Sequence, residues 1–161
     1  MLLVTGGTTF IGRAVLRNLS TYGYSIRTLL EPAIESPLLP PGVSVDVALS
    51  SLDDERGTRA AMVDVSAVIH LAGTGLGHTF DEPEIVDAEG TRVLVKAAEE
   101  AGVERFIYLS TLGADPASAY PQIRAKAIAE SHIRNSSLAY TILRSAVLFG
   151  PDDSLTTSLA M

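Results

Sequence analysis

A glycine-rich segment near the start of the chain has the residue types and spacing of a phosphate-binding turn. The stretch Met1–Thr5 is short and apolar, Gly6–Gly12 has the sequence GGTTFIG, and Arg13–Thr21 has the apolar spacing of a helix. A helix that starts directly after a strand directs its unpaired N–H groups and its positive dipole end toward one point. Gly6 permits the tight turn, and Gly12 lets helix and strand pack closely. The segment therefore predicts a site for a phosphate-bearing ligand.

An acidic residue further along the chain indicates which ligand this would be. Glu31 follows the second predicted strand. In dinucleotide-binding folds, an acidic residue about 20 positions after the glycines accepts hydrogen bonds from ribose hydroxyls, and its charge opposes a 2′-phosphate. Glu31 therefore favours NAD over NADP, the alternative being a solvated loop glutamate beside Pro32. Arg27 lies within the predicted strand, where it is less suited to contact a phosphate.

Apolar strands and amphipathic helices alternate along the chain, and this alternation determines where those residues lie. Strands separated by helices form a parallel sheet that is covered on both faces. Right-handed crossovers and a glycine turn after the first strand predict a doubly wound α/β fold with the strand order 3-2-1-4-5-6. Asp53 or Asp54 is a suitable N-cap for the second helix. The predicted strands are Met1–Thr5, Tyr24–Leu30, Val43–Leu49, Val65–Leu71, Val103–Leu109 and Ala139–Leu143, and the predicted helices are Arg13–Thr21, Asp53–Val63, Ile85–Ala101 and Tyr120–Asn135.

The composition is typical of one globular domain and disfavours several classes of function. The chain has 161 residues, of which 47% are hydrophobic and 19% charged, and this suffices for a sizeable core. A net charge of −7 opposes binding to nucleic acid. The sequence has no cysteine, and therefore neither a disulfide nor a thiol nucleophile. No apolar run approaches the ~18 residues of a membrane span, and Met1 leads directly into a core strand, so we expect a cytoplasmic protein with no membrane partner.

Four motifs, in order along the chain, resemble the extended and atypical short-chain dehydrogenase/reductases, in particular their NAD-dependent epimerase/dehydratase and NAD(P)H-binding group. They are the glycine segment Thr5–Gly12, the VIHLAG segment Val68–Gly73, the long segment Glu89–Ala114, and the segment Tyr140–Asp153. The resemblance covers nearly the whole chain and implies a Rossmann fold with a dinucleotide cofactor. It is much less specific for the reaction, and the small-molecule substrate stays unidentified.

The resemblance also assigns residues to the cofactor. Thr9 replaces the middle glycine of the family's TGxxGxxG motif, so its Cβ must be accommodated and its hydroxyl is a candidate to face a phosphate. Ser51 aligns with a residue that hydrogen-bonds adenine, and Leu52 with one that packs on the ring; a loop before a helix is the alternative. The expected cofactor contacts are Gly6, Thr8, Thr9, Phe10, Ile11, Gly12, Glu31, Ser51, Leu52, Leu71, Ala72, Gly73 and Lys126.

The family transfers protons with a YxxxK motif and an upstream serine or threonine, and this chain matches part of that set. Lys126 corresponds to the lysine that holds the nicotinamide ribose. Thr111, or Ser110 beside it, corresponds to the residue that holds the substrate carbonyl. Gln122 stands where the family has tyrosine, and glutamine does not exchange a proton at neutral pH. Tyr120 lies on a different face of the helix.

These assignments leave two classes of function open. The first is an oxidoreductase of the sugar-nucleotide or carbonyl type that uses another acid or a relayed water. The second is a protein that binds the cofactor structurally or as a redox sensor, and Gln122 modestly favours it. The acidic charge disfavours a third class, the RNA-binding relatives of this fold.

The three histidines predict neither a catalytic group nor a metal ligand. His70 lies in the VIHLAG strand and is expected to be buried, with hydrogen bonds to neighbouring backbone. His78 and His132 have no partners at metal-binding spacing and are expected on the surface. The sequence therefore predicts no metal site.

The predicted domain organisation is simple. Residues 1–150 are expected to form the dinucleotide-binding domain, and residues 151–161 a tail where extended family members begin a substrate lobe. Whether the chain is a fragment or lacks that lobe is left open by the sequence. In the family, the helices after strands four and five pair across a two-fold axis, and Ile85–Ala101 with Tyr120–Asn135 would form that pairing here. We therefore expect a homodimer.

Overall fold

A six-stranded parallel sheet forms the centre of the molecule. The computed structural model describes residues 1–32, 37–73, 84–151 and 153–159. Its strands are β1 Leu2–Thr5, β2 Ile26–Leu30, β3 Asp46–Leu49, β4 Ala67–His70, β5 Arg105–Thr111 and β6 Tyr140–Ser145, and its α-helices are α1 Phe10–Thr21, α2 Glu55–Ala61, α3 Gly90–Glu100, α4 Pro121–Arg134 and α5 Ser154–Leu159. All strand pairs are parallel in the order β3-β2-β1-β4-β5-β6. This order confirms the predicted doubly wound α/β fold.

The two faces of the sheet bury separate apolar clusters. Leu3 and Val4 are adjacent in β1 and fully buried, yet they belong to different clusters, because successive side chains of a strand point to opposite faces. The Val4 cluster includes Leu16 of α1. The Leu3 cluster includes Leu94 of α3 and Ile133 of α4. The helices therefore cover both faces, as predicted.

Several element boundaries differ from the prediction. Helix α1 begins at Phe10 and not at Arg13, because Thr9 caps it. Asp54 is the N-cap of α2, which agrees with one of the two predicted caps. The predicted helix Ile85–Ala101 divides into a π-helix, residues 84–89, and α3. Within the described residues, no helix has both the length and the apolar character needed to cross a bilayer.

The parallel strands bring most of the predicted site residues to one edge of the sheet, which we call the carboxyl edge. There β1 ends at the glycine turn, β2 ends before Glu31, β4 ends before Leu71, and β5 ends at Thr111. Doubly wound sheets bind their ligands at this edge. The candidate site is therefore located here.

Candidate functional site

Thr9 closes the turn between β1 and α1. Its Oγ1 accepts a hydrogen bond from the Gly12 N–H at 3.0 Å and donates one to the Gly6 carbonyl at 2.8 Å. A hydroxyl has one proton, so the structure uses that proton inside the turn and does not direct it at a ligand. The N–H groups of Phe10 and Ile11 begin the helix and are the donors that such a turn offers to an anion.

Steric contacts explain two glycines of the turn. Gly6 has φ +73°, and a Cβ there would lie 2.6 Å from the Ala72 nitrogen. A Cβ at Gly12 would overlap the Gly6 carbonyl oxygen, which agrees with the close packing expected of Gly12. The Thr8 carbonyl accepts a 2.7 Å hydrogen bond from Arg13 Nη1. The turn is therefore held against both the start of α1 and the end of β4.

Glu31 lies directly after β2 with an exposed side chain. Desolvation raises the pKa of its carboxyl group, and a hydrogen bond from the Leu52 backbone acts in the opposite direction. Leu52 belongs to the segment after β3, where half-buried Ser51 lies. The Leu52 side chain is 6% exposed and belongs to the core, so its contact with a base stays a prediction.

Lys126 is held by a buried acidic residue that is not among the residues predicted for the site. Its Nζ lies 2.9 Å from Asp87 Oδ1, and the Asp87 side chain is fully buried. Nζ also lies 5.1 Å from the centroid of the Tyr108 ring, a cation–π distance. A Cβ at Gly73 would collide with both charged groups of the pair. The fold thus brings Gly73 and Lys126 together, as expected, and adds Asp87 between them.

Tyr108 does not replace the tyrosine that the family has at the Gln122 position. It is fully buried, and its pKa is raised by desolvation and by the negative charges of Asp87 and Glu130. A raised pKa makes the phenol a poorer proton donor. Gln122 lies one turn before Lys126 on α4 and is half-buried.

Ser110 and Thr111 have different environments at the end of β5. Ser110 is buried, and its Oγ donates a 2.6 Å hydrogen bond to Glu130 Oε1. Arg144 donates two further hydrogen bonds to Glu130, and Arg134 forms an ion pair with it at 2.9 Å. Ser110 is therefore engaged in an ion cluster, while Thr111 is half-buried at the carboxyl edge. Of the two alternatives, Thr111 is the better placed to contact a substrate.

His70 is fully buried, as expected, but its partners are not backbone groups. Nδ1 lies 2.6 Å from Thr5 Oγ1, and Nε2 lies 2.9 Å from Thr91 Oγ1. The prediction of backbone partners was wrong because threonine hydroxyls of β1 and α3 reach both ring nitrogens. Burial, with the nearby Lys126 charge, lowers the pKa of His70 to about 3. The ring is therefore neutral at physiological pH.

Of the other two histidines, only His132 lies in the described part of the chain; His78 lies outside it. His132 is half-buried, not fully on the surface as expected, and desolvation lowers its pKa. Among the described residues, no group of three histidine, aspartate or glutamate side chains could hold a metal ion.

A parallel sheet with a glycine turn and a helix N-terminus at its carboxyl edge defines a nucleotide-binding α/β domain. The family described as NAD(P)H-binding matches residues 6–159. The chain belongs to this family, which confirms the expected class of cofactor. The Rossmann-type dehydrogenase/reductase resemblance is confirmed with it.

Individual relatives have several different functions. The chain is 29% identical to the ceramide reductase of Caulobacter vibrioides over 97% of its own length and 49% of that protein. It is 30% identical to NADH dehydrogenase [ubiquinone] 1 alpha subcomplex subunit 9 of Arabidopsis thaliana over 98% of its own length and 40% of that protein. A short-chain dehydrogenase/reductase superfamily protein of Agrobacterium tumefaciens, solved with bound NAD, has a TM-score of 0.71 and 30% identity, covering 89% of this chain and 48% of that one. The chain thus spans less than half the length of these relatives.

Proposed function

We propose that this domain binds NAD(H) in preference to NADP(H). The observation that carries this proposal is that three features meet at the carboxyl edge: the glycine turn follows β1, Glu31 follows β2, and Lys126 of α4 approaches Gly73, which follows β4. The amides of Phe10 and Ile11 would bind the pyrophosphate. Glu31 would accept hydrogen bonds from the adenosine ribose, and Lys126 would donate to the nicotinamide ribose.

The charges near Glu31 support NAD over NADP. A carboxylate accepts hydrogen bonds from both ribose hydroxyls and opposes a 2′-phosphate. Arg27, on the same strand, donates to Asp46 at 2.7 Å and to the Ala61 carbonyl at 2.9 Å. Those bonds hold its guanidinium along the sheet and away from Glu31's end of β2, as the sequence indicated.

We further propose that the domain has little dehydrogenase turnover. A bound nicotinamide would supply the chemistry of hydride exchange with a carbonyl or alcohol substrate. Proton transfer would require a group of the protein beside Lys126, and Gln122 occupies the position of the family's tyrosine. The residues of this chain therefore bind and orient the cofactor, which suits a structural or redox-sensing role.

An oxidoreductase is the second candidate. Thr111 at the carboxyl edge and the retained Lys126 favour it, together with similarity to a ceramide reductase. Such an enzyme would take its proton from another acid or from water. Turnover by such an enzyme would be detected only with a substrate that fits the site.

Calorimetry with NADH and NADPH tests the cofactor proposal. Loss of hydrogen bonds to a charged group costs about 1.5–3 kcal/mol, so Glu31→Arg should weaken NADH binding by about 10- to 100-fold and strengthen NADPH binding. The control Glu104→Arg makes the same charge change at an exposed site before β5, at the opposite edge, and should leave the preference unchanged. Equal affinity of the wild-type protein for both cofactors would contradict the proposal.

A further inference from the structure

In each hydrogen bond around His70, the neighbouring groups determine which atom donates and which accepts. Thr91 Oγ1 donates to the Asp87 carbonyl at 2.5 Å, and a carbonyl only accepts. The single Thr91 hydroxyl proton is therefore committed to Asp87. At the 2.9 Å contact between His70 Nε2 and Thr91 Oγ1, Nε2 must donate. His70 is thus the neutral tautomer with its proton on Nε2.

The other ring nitrogen, Nδ1, connects His70 to Thr5, which directly precedes the glycine turn. Because Nε2 carries the proton, Nδ1 accepts, and Thr5 Oγ1 donates to it at 2.6 Å. Thr5 Oγ1 in turn accepts the Ala72 N–H at 3.3 Å. One continuous chain of hydrogen bonds, which we call the His70 chain, therefore runs from Ala72 through Thr5, His70 and Thr91 to Asp87.

Both ends of the His70 chain reach the candidate site. Thr5 directly precedes Gly6 and the phosphate-binding turn. At the other end, the Asp87 backbone carbonyl is fixed by Thr91, and the Asp87 carboxylate holds Lys126 at 2.9 Å. Asp87 lies in the π-helix before α3, so its backbone position is set by these bonds as well as by helical hydrogen bonds.

We propose that His70 is a positioning residue, which acts through Thr91 and Asp87 to hold the Lys126 ammonium at a fixed place relative to the phosphate-binding turn. The inference rests on the proposed function in one respect, namely that Lys126 contacts the cofactor. Its structural part concerns the position of Lys126 and can be measured without cofactor.

The position of Lys126 can be measured by NMR because the chain has few lysines. The sequence has two lysines, Lys96 and Lys126. Lys126 Nζ lies 5.1 Å from the Tyr108 ring centroid, so the ring current should shift its signals upfield. Lys96 is exposed on α3 and pairs with Glu55 at 3.2 Å, which makes it an internal reference. Reductive ¹³C-methylation keeps the positive charge and labels both lysines.

The test compares methyl spectra and NADH affinity of the whole chain across four variants. Thr91→Val removes the hydroxyl at similar volume, and Thr91→Ser restores it. Thr5→Val acts at the far end of the His70 chain and removes the hydroxyl that donates to His70 Nδ1 and accepts from the Ala72 N–H. Val65→Ala removes buried apolar volume before β4, and controls for destabilisation alone.

We expect Thr91→Val and Thr5→Val to abolish most of the upfield displacement of Lys126 and to weaken NADH binding at least tenfold. Thr91→Ser and Val65→Ala should keep both, and the Lys96 signal should not move in any variant. If Thr91→Val does not fold, Thr5→Val supplies the same comparison.

Three outcomes overturn the inference. The first two are a wild-type Lys126 signal without upfield displacement, and a displacement that either valine variant retains. Loss of the displacement in Val65→Ala would also overturn it, because general destabilisation would then suffice. Failure of the wild-type protein to bind NADH would instead overturn the proposed function. The displacement of Lys126 would still report on the His70 chain in that case.

Discussion

Glu130 is the buried centre of an ion cluster. Replacing an arginine that pairs with Glu130 should reduce the free energy of unfolding more than neutralising Glu130 itself. Arg144→Met removes hydrogen bonds of 2.8 and 2.6 Å from a carboxylate that is fully buried. Breaking a buried pair from one side costs about 3–5 kcal/mol. Because Arg134 and Ser110 still contact Glu130, we expect a loss of about 3 kcal/mol in the free energy of unfolding.

Glu130→Gln should cost only about 1.5 kcal/mol. The side chains of Arg134 and Arg144 are 47% and 40% exposed, so water solvates both once the carboxylate is gone. The double variant Glu130→Gln/Arg144→Met should be about as stable as Glu130→Gln alone. Its loss of stability should be smaller than the sum of the two single losses, because removing Arg144 leaves no buried charge unpaired once residue 130 is neutral.

The same cluster predicts a dependence on pH. Burial raises the pKa of Glu130, but hydrogen bonds from Arg144 and Ser110 outweigh this and hold the pKa below its ordinary value. A carboxyl group with a lowered folded-state pKa contributes stability that is fully present above its unfolded-state pKa of about 4.3. That contribution is lost as the pH falls through the folded-state value. Arg144→Met should therefore flatten the acid side of the stability profile.

Urea unfolding of the single and double variants at neutral and acid pH measures these differences. Arg105→Met is the control, since Arg105 is exposed on β5 and should change stability by less than about 0.5 kcal/mol. An equal loss of stability in Glu130→Gln and Arg144→Met, or simple additivity in the double variant, would contradict the role given to the buried Glu130 charge.

Four further measurements follow from the structure. Thr9→Ala should lower the free energy of unfolding by about 1 kcal/mol and Thr9→Gly by only a few tenths; equal losses in urea unfolding would contradict the capping role. Gln122→Tyr should raise NAD-dependent turnover of carbonyl substrates, since a positioned acid contributes about 10²–10⁴-fold, whereas robust wild-type turnover that survives Lys126→Ala and Thr111→Ala would show the site assignment to be wrong. Light scattering at micromolar concentration should give the mass of a dimer, and a monomer mass would exclude it. The ring NMR signals of His70 should not titrate between pH 5 and 8, because burial lowers its pKa to about 3; a titration in that range would contradict its buried, neutral state.

The fold and the glycine turn between β1 and α1 could be predicted because their causes are mostly local. Gly12 is required by contacts within the turn itself, and Gly6 by its φ of +73°, to which the distant approach of Ala72 adds. Alternation of elements and crossover handedness then determine the strand order. The predicted start of α1 was wrong because apolar spacing becomes clear only after Gly12, although threonine at position 9 is a preferred N-cap.

The buried charges could not be predicted, because their partners are distant along the chain. Asp87 pairs with Lys126, and Glu130 with Arg144, across different elements. A signal for Asp87 was present: with Thr91 it occupies the buried side of the predicted helix at helical spacing. A charged residue on such a side requires a partner, but the sequence does not say which one.

The two ion pairs also have a mechanical consequence for α4. Lys126 and Glu130 lie one turn apart on the same side of this helix, and they attach to different supports, the π-helix through Asp87 and strands β5 and β6 through Ser110 and Arg144. Contacts from two neighbouring turns to separate supports oppose both rotation of the helix about its axis and sliding along it. If the carboxyl edge widens, we therefore expect the elements that face α4 to move more than α4 itself.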